Sequence, residues 1–130
     1  MARTYHSRFA GDRRGTTAIE YAIILPALLL FLLGIMDTGR LLWNYTTLYR
    51  AVEAAARCGT INLTDCGTTG QIQSRAVAEA WGMSVSAGSF TVSDQACGKQ
   101  VSTSYSFVFT IPGFNAITLE PEACFPKLPE

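Results

Sequence analysis

One uninterrupted apolar stretch near the N-terminus limits the folds open to this chain more than any other feature. Between Arg14 and Asp37 the only charged side chain is Glu20. As an α-helix, the 21 residues from 16 to 36 would be about 31 Å long, the thickness of a bilayer hydrocarbon core. A helix that is apolar on every side needs a large core or lipid around it. The rest of the chain is not apolar enough to wrap it, so we predict a membrane span over residues 16–36.

Charge is distributed unevenly on the two sides of this span. Residues 1–15 carry four arginines and one aspartate, a net charge of +3, and the remainder carries six Lys and Arg against nine Asp and Glu, a net charge of −3. The positive-inside rule therefore predicts a basic cytoplasmic leader, residues 1–15, and a C-terminal domain outside the cytoplasm. A secretory signal peptide is the competing interpretation, but residues 34–40 offer no small-x-small cleavage site. We expect a single-pass protein of a bacterial inner membrane, with its C-terminus in the periplasm.

Two residues interrupt the predicted transmembrane helix between Tyr21 and Met36. Pro26 has no N–H to donate to the preceding turn, so it should kink or loosen the helix. Gly34 is the second interruption. These residues are either deformation points for packing into a filament or ordinary residues that membrane helices tolerate.

A carboxylate one turn inside the span, Glu20, needs a cationic partner. An acidic residue at the centre of a membrane helix costs about 2.5–3.5 kcal/mol, and less near the interface. The nearest preceding cations are Arg13 and Arg14. If the chain were cut after Gly15, the new α-amino group of Thr16 would be a second candidate, since opposite charges attract strongly in low dielectric. The alternative is a glutamate that snorkels to the interface and has no role.

The residues around Glu20 resemble the processing site of type IV prepilins, which have basic residues, a glycine before the cut, and glutamate at the fifth mature position before an apolar helix. The sequence reads Arg13-Arg14-Gly15-Thr16-Thr17-Ala18-Ile19-Glu20-Tyr21. The Glu20-Tyr21 pair is similar to the Flp subclass, type IVb. The longer stretch is similar to the TadE/TadF family of pilus-assembly pseudopilins, through Ala22-Ile23-Ile24-Leu25-Pro26, Leu28-Leu29-Leu30 and Gly34-Ile35-Met36-Asp37-Thr38-Gly39-Arg40. The resemblance covers residues 13–57, with Asp37 standing where the family favours glutamate.

The resemblance implies a minor pilin or pseudopilin of a Tad (Flp) type IV pilus or secretion system that acts in assembly, initiation or anchoring. A prepilin peptidase would cut between Gly15 and Thr16, and Glu20 with Tyr21 would serve assembly by pairing with an N-terminal amine. The implied partners are the peptidase, other pilins or pseudopilins, the Tad assembly platform and the inner membrane. Whether the product enters an extracellular pilus or stays in the membrane is left open.

The helical pattern continues beyond the span to about residue 58. Apolar residues at steps of three and four predict one buried stripe, formed by Leu41, Tyr45, Leu48, Val52 and Ala55. Gly59 is a plausible C-cap, so the predicted N-terminal helix covers residues 16–58, with a periplasmic extension over 37–58. Asp37 and Arg40, spaced i and i+3, should form an ion pair at the outer interface.

The predicted extracytoplasmic α+β domain, residues 59–130, begins with a second helix. Thr68 and Gln71 have the spacing of a capping box, and the helix should end near Trp81, before Gly82. We expect Trp81 to fill the core. Four residues mark the buried side of this helix: Ile72, Ala76, Val77 and Ala80.

After residue 88 the apolar period changes to two, which predicts strands. The first contains Phe90 and Val92, a long second strand runs over residues 101–111, and a third begins with Ile117 and Leu119. Tyr105, Phe107 and Phe109 share the face of the second strand that should be core, and the tail from Phe125 should be irregular. The predicted fold class is therefore α+β: a long N-terminal transmembrane helix, then a small domain with a short helix and a three-stranded antiparallel sheet.

All four cysteines follow the span, which favours disulfides in an oxidising compartment over zinc binding, because the short paired spacings of a zinc site are missing. Three pairings are possible. We favour Cys58 with Cys66, closing a short loop, and Cys97 with Cys124, tying two strand regions together. Four reduced core cysteines are the alternative.

Nothing in the sequence argues for an enzyme. The only histidine, His6, lies in the leader, so the predicted mature chain has no His-based triad or histidine metal site. We expect no catalytic residue, no metal and no cofactor, and the lack of a basic patch outside the leader argues against nucleic-acid binding. The alternative function is a permanently anchored ligand-binding or adhesin module; a major pilin is disfavoured because the outer domain is large for a thin Flp filament.

Overall fold

The computed structural model describes residues 16–127, with side chains from Thr17 onward. The basic leader, including Gly15, and the last three residues of the tail lie outside the described residues. The chain divides into two compact units, one ending at Met36 and an outer unit from Asp37 onward. A long N-terminal helix is followed by short helices and antiparallel strands, so the predicted α+β class is confirmed.

The first helix, α1, runs from Thr16 to Ile61 and contains Pro26 in its N-terminal half. It ends three residues later than predicted, and Gly59 is a buried residue inside the helix, so its prediction as a C-cap is wrong. The last turn continues because the N–H of Asn62 still donates to the carbonyl of Cys58, at 2.9 Å. The Asn62 side chain then caps the short helix α2, Leu63–Cys66.

The outer half of α1 buries one face made largely of small side chains. Leu48, Val52 and Ala55 are fully buried, as the predicted stripe requires, and Ala51 and Ala56 are buried beside them. Tyr45 does not belong to this face, because its side chain is 45% exposed. Because alanine side chains are small, other elements approach the helix closely at these positions. The predicted stripe, which was drawn mainly from large apolar residues, does not indicate this close packing.

The helix α3, Thr69–Glu79, starts at the predicted capping box. The backbone N–H of Gln71 donates to the Thr68 hydroxyl at 3.4 Å, and the N–H of Thr68 donates to the Gln71 side-chain oxygen at 3.1 Å. Ile72 and Ala76 are buried, as predicted. The helix ends earlier than expected, and Trp81 is 64% exposed instead of filling the core. Trp81 lies beyond the last helical turn, so the phase of the helix no longer decides where it points.

Three antiparallel strands form the main sheet, in the order β1-β2-β5. A 3₁₀ turn over Ala87–Ser89 leads into β1, Phe90–Gln95, which pairs with β2, Gly98–Thr103. The other edge of β2 pairs with β5, Glu122–Phe125. The antiparallel sheet agrees with the prediction, but its third strand comes from residues after Pro121 and includes Phe125, where we expected the irregular tail to begin.

The long strand predicted over residues 101–111 is interrupted at Ser104. The buried Thr103 ends β2: its N–H donates to the carbonyl of Pro121 at 3.2 Å, and its hydroxyl to the carbonyl of Ser89 at 2.8 Å. After the break, β3, Tyr105–Phe107, pairs with β4, Ile117–Leu119, in a separate two-stranded sheet. Phe107 is buried as predicted, whereas Phe109 is only partly buried and lies beyond the strand.

The predicted pairs of cysteines are both bonded in the structure: Cys58 with Cys66, and Cys97 with Cys124. The second bond ties the β1–β2 turn to β5. Gly98 follows Cys97 at a φ of +128°, and a Cβ there would collide with the carbonyl of Phe125, so only glycine fits where the two strands meet.

Candidate functional site on the N-terminal helix

The predicted processing site lies at the first residue of α1. Thr16 begins the helix, and Glu20 and Tyr21 follow within the first two turns, both exposed. Gly15, on the other side of the predicted cut, lies outside the described residues. No ion pair to Glu20 occurs among residues 17–127, so any cationic partner of this carboxylate lies outside these residues.

The helix surface that follows Glu20 is almost entirely apolar and exposed. α1 is the one helix among residues 16–127 that is long and apolar enough to cross a membrane, and no part of its most apolar window is buried. Large apolar side chains of the predicted span are between 47% and 72% exposed, which would be costly in water. They are Ile19, Tyr21, Ile23, Ile24, Leu25, Leu28, Leu29, Leu30, Phe31, Leu32, Ile35 and Met36. This part of α1 therefore has the length and the apolar surface of a membrane span.

The acid that ends the apolar stretch, Asp37, is buried and fully engaged within the outer unit. Its side chain is 3% exposed. One carboxylate oxygen accepts the backbone N–H groups of Thr110 and Ile111, at 2.8 and 3.1 Å. The other accepts Nη1 of Arg40 at 3.1 Å, and the same Nη1 donates to the Thr110 hydroxyl at 2.6 Å. Asp37 thus fastens a loop more than 70 residues away in sequence to the helix.

The hydrogen bonds at Asp37 also determine its protonation. Burial of the carboxyl raises its pKa, but the hydrogen bonds from Thr110 and Ile111 and the charge of Arg40 act in the opposite direction and together hold the pKa below its ordinary value. Asp37 follows the last residue of the predicted span, so this ionised carboxylate is a structural anchor of the outer unit.

Sequence reasoning found half of this arrangement. The predicted ion pair between Asp37 and Arg40 is present. The bonds to Thr110 and Ile111 were missed, because a backbone N–H carries no sequence signal. The single available hint was the position of an acid directly after the span, where a charge has to find partners.

An open groove of about 1100 Å³ lies in the outer unit, between the last turns of α1 and α3. Its lining contains three arginines, Arg50, Arg57 and Arg75, and three acids, Glu53, Asp65 and Glu79. Arg75 is paired with Glu79 at 2.6 Å. Within residues 16–127 no three His, Cys, Asp or Glu side chains come together in a way that would hold a metal ion. The groove therefore offers a surface of mixed charge.

The comparison with protein families falls on the same helix. The model of the family described as TadE-like protein matches residues 15–57, which contain the predicted cut, Glu20, the apolar surface and most of the outer half of α1. No curated protein and no solved structure matches the chain. The matched segment is about a third of the chain, and the outer unit beyond it has no counterpart in this comparison. The segment over residues 15–57 is therefore similar to the TadE-like family, in agreement with the resemblance predicted from the sequence.

Proposed function

We propose that this protein is a pseudopilin-type component of a Tad pilus or secretion system, held in a bacterial inner membrane by residues 16–36 and processed by a prepilin peptidase after Gly15. The main support for this proposal is that two features fall on one helix: the match to the TadE-like family, and an exposed apolar surface whose one charged residue is Glu20. In this proposal the protein has a structural role in assembly, and its partners are other pilus components.

The role proposed for Glu20 follows from its surroundings on α1. The carboxylate is exposed among apolar side chains and has no cationic partner among residues 17–127. In lipid, an unpaired carboxylate is costly, and an amine on a neighbouring subunit would remove that cost. Cleavage after Gly15 supplies such an amine at Thr16. The span would then pack against the helix of a neighbouring subunit in the one register that places an N-terminal amine beside the Glu20 carboxylate.

Processing is tested by mass spectrometry of the intact protein after co-expression with its prepilin peptidase. We expect the mature chain to begin at Thr16, and Gly15→Leu to block cleavage because a bulky side chain does not fit the site. Gly11→Leu, a change of the same size in the leader, is the matched control and should be processed normally. An intact leader on the wild-type protein would refute the processing step.

Assembly is tested in cells by the amount of pilus that can be sheared from the surface. We expect Glu20→Ala to leave cleavage largely unchanged but to reduce piliation. Glu53→Ala removes an exposed glutamate from the outer half of the same helix and should have little effect. Normal piliation with Glu20→Ala would contradict the pairing role of this carboxylate.

The place of the protein in the system is tested by fractionation. A pseudopilin of this kind is expected to travel with sheared filaments or with the membrane-bound assembly machinery. A protein that remains alone in the membrane fraction, bound to neither, would instead support the anchored binding module.

A further inference from the structure

The outer unit contains an uncharged loop that exposes large apolar side chains. Residues 100–119 contain no Asp, Glu, Lys or Arg, whereas charges occur on either side at Lys99 and Glu120. Within this segment the connection between β3 and β4, residues 108–116, exposes Val108 and Phe114, at 64% and 63%. Large apolar side chains so exposed, with no charge nearby in sequence, indicate a surface that meets an apolar environment.

The loop is built to keep these side chains in place. Phe109 and the buried Phe107 form an edge-to-face pair with ring centroids 5.2 Å apart, and the ring centroids of Phe109 and Phe114 are 5.6 Å apart. The exposed aromatic ring therefore stands on a short stack that reaches into the core. A side chain that is already held in place loses less conformational entropy on binding than a mobile one.

Asp37 fixes where along α1 this loop lies. Its carboxylate holds the N–H groups of Thr110 and Ile111, at 2.8 and 3.1 Å, and Arg40 adds a bond to Thr110 and lies 5.5 Å from the centre of the Phe107 ring. Asp37 is joined by a peptide bond to the last residue of the predicted span. The loop is consequently tied to the residue at which the chain leaves the hydrocarbon.

We propose that the loop over residues 108–114 rests on the outer surface of the membrane that α1 crosses, with Val108 and Phe114 inserted into the lipid interface. Apolar faces that bind membranes in this way lie about 5–10 Å into the boundary between headgroups and acyl chains. The inference rests on the membrane span of the proposed function. It adds a second attachment of the outer unit to lipid, so that the unit is held by its loop as well as by its helix.

Lipid fits this surface better than a protein partner does. Specific protein interfaces surround their apolar centre with a polar rim. Residues 100–119 carry no charge, and the cation that contacts the loop, Arg40, is already bonded to Asp37 and Thr110. Lipid is also the apolar phase that the proposed span would leave at Met36, and Met36 is joined by a peptide bond to Asp37, which holds the loop. A contact with a neighbouring subunit is the competing outcome, and the test below separates the two.

The test uses the full chain in phosphatidylcholine nanodiscs and reads the environment of one tryptophan. Trp43→Phe and Trp81→Phe remove the native fluorophores, both exposed. Phe114→Trp then reports on the loop. Leu63→Trp, in α2 and 70% exposed, is the matched control beyond the far end of α1, about 36 Å along the helix from Asp37. Phe31→Trp, inside the span, is the positive control for insertion.

Phosphatidylcholine brominated on its acyl chains quenches only tryptophans that touch lipid. We expect the Phe114→Trp variant to emit at shorter wavelength than the Leu63→Trp control and to lose intensity in brominated nanodiscs. Quenching should be stronger for bromines near the headgroup than for bromines near the chain end, with the opposite order for Phe31→Trp. Val108→Trp is a second reporter, which should behave like Phe114→Trp.

Two results would overturn the proposal while leaving the span intact. In both, Phe31→Trp is quenched. Either the two loop reporters emit like the Leu63→Trp control and are not quenched, which places the loop in water, or they emit at short wavelength without quenching, which places the loop against protein. A Phe31→Trp variant that is not quenched would overturn the membrane anchor of the proposed function and this inference with it.

Discussion

Gly59 offers the sharpest test of how α1 packs in the outer unit. It lies in the last turns of the helix and is buried, and a Cβ at this position would lie 2.8 Å from Cδ1 of Ile72, 3.3 Å from its Cγ1 and 3.3 Å from Cγ of Lys99. Real Cβ atoms do not approach carbon atoms as closely as 2.8 Å. The glycine therefore allows α3 to pack directly on the backbone of α1.

Two opposing effects determine the outcome of Gly59→Ala. Alanine stabilises a helix interior by about 1 kcal/mol relative to glycine, whereas an extra methyl group in a packed core costs about 1–3 kcal/mol. Because Ile72 is 2% exposed and has little room to move, we expect the packing cost to dominate. Gly59→Ala should lower the free energy of unfolding by up to about 2 kcal/mol.

A double-mutant cycle isolates the contact. Ile72→Val removes the Cδ1 atom and by itself should cost about 0.5–1.5 kcal/mol. In that background the closest contact is gone, so Gly59→Ala should become neutral or stabilising by up to about 1 kcal/mol. The coupling between the two substitutions should then be about 1–2 kcal/mol. Gly39→Ala is the matched control, since a Cβ on this α1 glycine would meet nothing within 4 Å.

The assay is urea unfolding of the full chain in a nonionic detergent, followed by near-ultraviolet circular dichroism. The edge-to-face pair of Trp43 and Trp81, with centroids 6.0 Å apart, reports on the outer unit. Additive effects of Gly59→Ala and Ile72→Val, within about 0.5 kcal/mol, would refute the argument. So would a Gly59→Ala variant stabilised as much as the Gly39→Ala control.

Three further outcomes are expected in the same unfolding assay. The low pKa of Asp37 contributes stability that is complete above its ordinary value of about 3.9 and is lost as the pH falls through its folded value; wild type should therefore lose stability below about pH 4 more steeply than Asp37→Asn, and equal slopes would contradict this. Thr68→Ala removes the cap of α3 and should cost about 1 kcal/mol, whereas no loss would show that the cap contributes nothing. Replacing Cys97 and Cys124 by alanine opens a loop with a sequence separation of 27, and loop-closure entropy predicts a loss of about 3.6 kcal/mol; a loss below about 1 kcal/mol would argue against that account.

The local features of the chain could be predicted from the sequence because each depends on neighbours within a few residues. The apolar run predicted a long helix from Thr16, and the spacing of Thr68 and Gln71 predicted the start of α3. The ion pair of Asp37 with Arg40 follows from one helical turn. Glu20 could be singled out as a candidate site residue for the same reason, since an acid within an apolar segment can be recognised without knowledge of the tertiary structure.

The tertiary structure decided which distant segments meet. β5 was missed because its pairing with β2 joins backbones whose side chains carry no pairing code, and the strand predicted through Ser104 ends where Thr103 bonds to Pro121. Gly59 was predicted to cap the C-terminus of α1, whereas the structure shows that a glycine is needed there because Ile72 of α3 packs against it.

The attachment of the 108–114 loop to Asp37 was likewise not predictable from the sequence. Its donors are the backbone N–H groups of Thr110 and Ile111, which every residue except proline possesses. The sequence by itself determined a helix long and apolar enough to cross a membrane, with one carboxylate, Glu20, near its start and an acid, Asp37, directly after its apolar stretch. Only the tertiary structure decided what that final acid holds, because contacts between segments 73 residues apart depend on the path of the whole chain.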